Sequence, residues 1–251
     1  MISRRIAVYC AVGGVIYLAA LIATVPAPWV SRVVERASAH KLQLRAPAGS
    51  LWAGSGRLYA MQRSGPPVEL GELRWKTAWP ALFGGKIAAD VSLGGSARTT
   101  RFEVSPGGAT IHGLDVALPG KVLASLVPAL EAFGPQGTLH IRSENQRFEA
   151  GSMLGLAEIE WRQVRLARAP GLDLGSHVAR LRGGGNKVDI ELATLSGPLR
   201  LSGSGTWTPE AGLSLSGMVE HDAQPTPALA TFLSGVCNSY AQNRCRFQIK
   251  L

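Results

Sequence analysis

Cys237 and Cys245, the two ends of "CNSYAQNRC", are the residues whose type and spacing most directly suggest chemistry. Thiols this close can form a disulfide in an oxidising compartment. The nine-residue loop they bracket would then be stabilised by roughly 2.6 kcal/mol in the chain-entropy estimate. No histidine lies near the pair, which disfavours a metal site; the alternative is two unrelated buried thiols. The remaining cysteine, Cys10, lies in an apolar run and reads as a small apolar residue.

Other reactive types are arranged less suggestively. Glu158, Glu160 and Arg162 occupy alternate positions, which places them on one face of a strand. That pattern suits a salt-bridged wet face better than a general acid/base pair. His40, His112, His140, His177 and His221 are far apart and never share metal-ligand spacing. No serine is centred in G-x-S-x-G, and no H-E-x-x-H occurs. "GSLWAGSGRL" (49–58) suggests a phosphate loop, but no Lys–Ser/Thr pair follows its glycines and the sequence continues as strand. It recurs in kind as "LRLSGSGTW" (199–207), so its glycines are expected to mark β-bulges or tight turns. These residues imply no enzyme, no cofactor and no metal. Trp52, Trp75 and Trp161 remain as core anchors or partner contacts, with Trp75 and Trp161 expected at equivalent positions of a repeat.

The elements that must position these residues are mostly strands. Only 17% of residues are charged, which excludes a disordered tail. With 30 glycines and 15 prolines spread between short apolar runs, the chain predicts many turns and an all-β body. The net charge of +9 is scattered along the strands and reads as a solvated basic face, with attraction to anionic lipid headgroups or an acidic partner as the alternative. Nucleic acid is not an expected partner, because no stacking aromatics are interleaved with the basic residues.

At the N-terminus, Arg4 and Arg5 precede residues 6–25, a run without a charge. A helix of that length spans about 30 Å, the thickness of the bilayer hydrocarbon. The arginines would hold residues 1–5 in the cytoplasm, leaving the body outside it, with Trp29 at the far interface. A secretory signal peptide competes with this anchor, but its apolar core is usually shorter. Residues 26–41 follow as a short juxtamembrane helix or linker, with Val30, Val33, Val34 and Ala37 at helical spacing.

From residue 42 to 251 period two dominates. Ile87, Ala89, Val91 and Leu93 alternate with polar neighbours, as do Val188, Ile190 and Leu192, and finally Cys245, Phe247, Ile249 and Leu251 in a last strand at 244–251. Two proline-led stretches, 119–133 and 225–235, carry apolar residues at three- and four-residue spacing and predict short helices. They expose a duplication, about 49–133 and 137–235, in which "LGELRW" answers "LAEIEW" and "GKIAADVSL" answers "NKVDIELATL". The segment "VRLARAPGLDLGSHVARLRGGG" after Trp161 is long enough for an extra hairpin. The expected fold is therefore mainly β: an elongated, curved, largely antiparallel sheet of two similar halves with two short helices, behind one N-terminal transmembrane helix.

The anchor, "GSLWAGSGRL", "LGELRWKTAWPALFGGKIAADVSLGG", "LDVALPGKVL", "GPLRLSGSGTW" and "PTPALATFL" together resemble the type II secretion system protein N family. The resemblance implies a single-pass protein of the bacterial inner membrane with a periplasmic β domain. It would be a non-enzymatic part of the machine that moves folded proteins across the outer membrane, and its partners would be other subunits of that machine and the membrane. A second plan, in which the apolar sheet face handles lipid or another hydrophobic ligand, follows by analogy with the grooves of AsmA/TamB-like envelope proteins.

Overall fold

The computed structural model describes Gly13, Gly14, Tyr17 and residues 24–250, apart from 63–64, 80, 82–83, 95–97, 127–132, 150, 168–172, 222–228, 230–232, 234–236, 238 and 242. The expected anchor at 6–25 falls almost wholly outside the described residues. Among those described, no helix is long and apolar enough to cross a membrane.

Helix α1 (Pro28–Ala37) opens the described body. It is followed by β1 (Leu42–Gly49), β2 (Ala53–Ala60), β3 (Val68–Thr77), β4 (Ile87–Leu93), β5 (Thr100–Ser105) and β6 (Gly108–Pro119), then α2 (Val122–Leu126). A second run holds β7 (Pro135–Glu149), β8 (Ser152–Leu166), β9 (Asp173–Gly185), β10 (Val188–Ser196), β11 (Leu199–Thr208) and β12 (Gly212–His221). The chain ends in β13 (Ser239–Ala241) and β14 (Arg244–Lys250). The fourteen strands among the described residues form one sheet in chain order, except that β14 lies between β12 and β13. Every strand pair is antiparallel. A meander of this kind needs only short turns between neighbours, which the many glycines supply.

Because the sheet is a meander, its connections alternate between two ends. One, the turn end, carries the β1–β2, β3–β4, β5–β6, β7–β8, β9–β10 and β11–β12 connections. The other, the helix end, carries α2 and the segment after β12. Of the helix expected at 225–235 only Leu229 and Leu233 are described as helical. Of that expected at 119–133, α2 covers 122–126; Pro119 still belongs to β6 and pairs with Thr138, and 127–132 lie outside the described residues. Among the described residues the segment after Trp161, expected to hold an extra hairpin, forms none beyond the meander; 168–172 lie outside them. Its sequence carries the end of β8 and then β9, a single strand hydrogen-bonded to β8 on one side and β10 on the other. Two runs of six strands, each followed by helical residues, result.

Alternation gives the sheet two unlike faces. On the apolar face Val116, Ile141, Ile159, Ala179 and Leu192 are successive cross-strand neighbours from β6 to β10. The core gathers at two places on this face. One cluster joins Ala27, Leu44, Leu58, Ala60, Leu70, Trp75 and Val122. The other joins Val164, Leu166, Leu174, Leu199, Val219, Leu233, Cys245 and Phe247. Between them the apolar row is only half-buried. The helix α1 departs from its expected stripe. Val30 and Val34 pack on the first cluster, while Val33 is 58% exposed and Ala37 also faces outward. The sheet offers α1 a strip wide enough for one line of side chains.

Candidate functional site

The polar face is organised by register. Asp115, Arg142, Glu158, Arg180 and Glu191 are directly opposite one another across β6 to β10, so charge alternates in sign at every step. Opposite charges on directly paired residues support pairing, whereas a one-residue slip would break the alternation. This ladder lines a cavity of about 1100 Å³, together with Arg98, Arg182 and Asp189. Arg98 bonds Asp115 at 3.1 Å, Arg180 bonds Glu158 at 3.2 Å, and Arg142 reaches Glu160 at 3.4 Å. Glu158 and Glu160 therefore share a wet face, as their spacing requires, and each is held by arginine.

Glu160 is the most buried member, at 8% exposure. Burial pushes its carboxyl pKa up, but the Arg162 hydrogen bond and the charges of Arg162 and Arg142 outweigh that and hold it below the usual carboxylate range. For His177, burial lowers the imidazole pKa against a smaller raising effect from its bond to the Leu174 carbonyl. Both folded-state values lie below their unfolded ones, so each group contributes stability above its unfolded pKa and loses it as pH falls. The expected outcome is a two-stage loss of stability on acidification. The His177 share goes below about pH 6.5 and the Glu160 share below about pH 4.3. Urea titrations at stepped pH check this: Glu160→Gln should shrink the lower stage, to which Glu72 beside Arg74 also contributes, and His177→Gln should remove the upper.

The histidines stay apart. His112 Nδ1 lies 2.6 Å from Asn145 Oδ1. His140 faces Glu160 across β7 and β8, and His177 contacts Thr194 and the Leu174 carbonyl. Among the described residues no group of histidine, cysteine and carboxylates could hold a metal ion.

"GSLWAGSGRL" becomes the β1–β2 turn and then β2 itself. Gly49, the last residue of β1, meets the expectation of a turn glycine with φ +96°, whereas Gly54 and Gly56 inside β2 are neither bulges nor turns. A Cβ on Gly54 would lie 2.5 Å from the Trp75 ring, and one on Gly217 would lie 2.6 Å from the Phe247 ring. At these two positions glycine leaves room for an aromatic ring of the neighbouring strand to pack against the backbone. Trp75 is 7% exposed, and its Nε1 donates to the Ser50 carbonyl at 3.1 Å. Trp161 Nε1 donates to the Gln136 carbonyl at 3.0 Å and packs on the second cluster. Each indole thus bonds a carbonyl 25 residues earlier, but the two lie toward opposite ends of the sheet. Trp75 approaches the turn end on β3, whereas Trp161 approaches the helix end on β8, which runs in the opposite direction. Trp52 belongs to neither pattern, and stacks on Trp79 with ring centroids 4.0 Å apart.

Cys237 and Cys245 are joined by a disulfide with Cα atoms 5.4 Å apart. The bond ties the segment after β12 to β14, and Cys245 is fully buried in the second cluster. The sequence did not reveal the charge ladder. Its only local trace is the run Glu158, Glu160, Arg162, and its other members lie on four further strands.

The described residues thus build a single antiparallel meander with one polar face crossed by salt bridges and one apolar face. Residues 40–248 match the family model for type II secretion system (T2SS), protein N. The chain belongs to that family, and through it to type II secretion and its assembly of components. No curated protein matches the chain, and no solved structure does.

Proposed function

We propose that the chain is a non-enzymatic component of the type II secretion apparatus, anchored in the bacterial inner membrane by residues 6–25, with its sheet standing in the periplasm. The observation that carries this reading is the family match over residues 40–248 of a chain whose first segment is an uncharged run behind two arginines. The sheet acts by contact with other components of the machine, and its polar face offers a pre-ordered charge pattern for that contact. Deletion of the gene should leave exoproteins folded but stranded in the periplasm. Undisturbed secretion in the deletion strain would remove the reading.

A second reading is favoured by the half-buried row Val116–Ile141–Ile159–Ala179–Leu192 between the two core clusters. An apolar face over whose middle the described residues place no covering layer suits a lipid acyl chain. Mass spectrometry of gently extracted protein should then find bound phospholipid in excess of the annular amount. The same lipid content in a variant with Ile141→Asp and Ile159→Asp would count against it.

A further inference from the structure

The chain enters the fold at a defined place. The Val25 carbonyl accepts from the Leu51 amide, Pro26 bridges to Ser50, and the Ala27 amide donates to the Gly49 carbonyl. All three contacts sit at the β1–β2 connection, which is the turn end of the sheet. An uncharged run long enough to span a bilayer ends at this point. Whatever residues 6–25 are embedded in is therefore brought to the turn end of the first strands.

That end carries the side chains suited to a membrane interface. Trp79, in the β3–β4 connection, is 42% exposed and backed by the stacked ring of Trp52. Ile87, where β4 begins, is 55% exposed. Trp29, in the first turn of α1, is 53% exposed, and the Arg32 guanidinium lies over its ring at 5.3 Å. Lys76 and Lys86 flank the same connection and are exposed. Indoles sit at the headgroup level of a bilayer, and cations there are drawn to its anionic surface. The neighbouring strands cannot all share this surface. Each twists by roughly 20–25° relative to the last, so contact with one plane is confined to the first few.

We infer that the turn end of β1–β4, with Trp29, Trp79 and Ile87 as its apolar contacts and Lys76 and Lys86 as its cations, rests on the surface of an anionic phospholipid bilayer. This rests on the membrane placement proposed above. It adds that the first half of the sheet stands on the membrane, directed away from it, and does not hang free on a tether. The helix end is then the part presented to components further out.

The test uses the full chain in nanodiscs of phosphatidylethanolamine and phosphatidylglycerol, with benzoylphenylalanine placed singly at Tyr17, Trp79, Ile87 or Leu195. Leu195 is the matched control, an apolar residue 49% exposed near the helix end of β10. Photolysis should attach phospholipid at 17, 79 and 87, and leave 195 at background. Label at 17 with 79 and 87 no higher than 195 would overturn the seated edge while leaving the anchor intact. Absence of label at 17 as well would overturn the membrane placement, and the seated edge with it.

Discussion

Trp75→Ala should destabilise the protein by about 3–5 kcal/mol, the largest effect of any single substitution argued here. The ring is buried in the first core cluster, where α1, β1, β2, β3 and α2 meet. Its removal leaves a cavity that cannot close easily, because Gly54 beneath it has no side chain to move in. The Ser50 carbonyl also loses its indole donor. Trp75→Phe separates the two contributions: it keeps most of the packing and should cost about 1 kcal/mol for the lost hydrogen bond, plus a smaller packing share. Trp79→Ala, which removes an exposed stacked ring, should cost about 1 kcal/mol or less. Urea denaturation of the full chain in mild detergent, followed by circular dichroism, ranks the three. Equal midpoints for Trp75→Ala and Trp79→Ala would mean that Trp75 is not an anchor of the core.

Replacing both Cys237 and Cys245 by alanine is the second large effect, expected at about 2–5 kcal/mol. The disulfide closes the loop that returns the chain from the segment after β12 to β14. Without it, β14 must find its place beside β12 from a longer unconstrained segment, and among the described strands β13 pairs with β14 alone. The loss should appear as a lower denaturation midpoint, with early loss of protection in β14 amides by hydrogen exchange. Maleimide labelling offers an independent check. In unfolding conditions both thiols should remain unreactive until a reductant is added, whereas Cys10 reacts at once.

Much of the fold was legible because it is written locally. In β10, Val188, Ile190 and Leu192 alternate with Asp189 and Glu191, and the same pattern in β14 sets Phe247 and Ile249 against Arg246 and Gln248. Such segments name their faces without any knowledge of neighbours. The disulfide candidates were equally visible, since eight residues of separation suffice to suggest a closed loop. Helix α1 shows where the local signal stops. Val30, Val33, Val34 and Ala37 all satisfy helical spacing, yet only Val30 and Val34 found a surface to cover. Spacing says which residues share a side, and the width of the partner says how many of them are buried.

The glycines and tryptophans carry the same lesson further. Gly54 reads as punctuation in isolation, and its purpose is set by a ring on another strand, 21 positions away. Trp75 and Trp161 end similar peptides, but strand direction turns them toward opposite ends of the sheet. The charge ladder from Asp115 to Glu191 depends on four separate registers, each fixed by its own turns and bulges. Composition and alternation were enough to make this chain a β protein with one oily face and one wet face, because those properties belong to single strands. Which residues meet across strands, where the apolar face is covered, and which end receives the N-terminal segment were decided only in the folded sheet. Those are properties of pairs of residues distant in the chain, and no local pattern encodes the pairing.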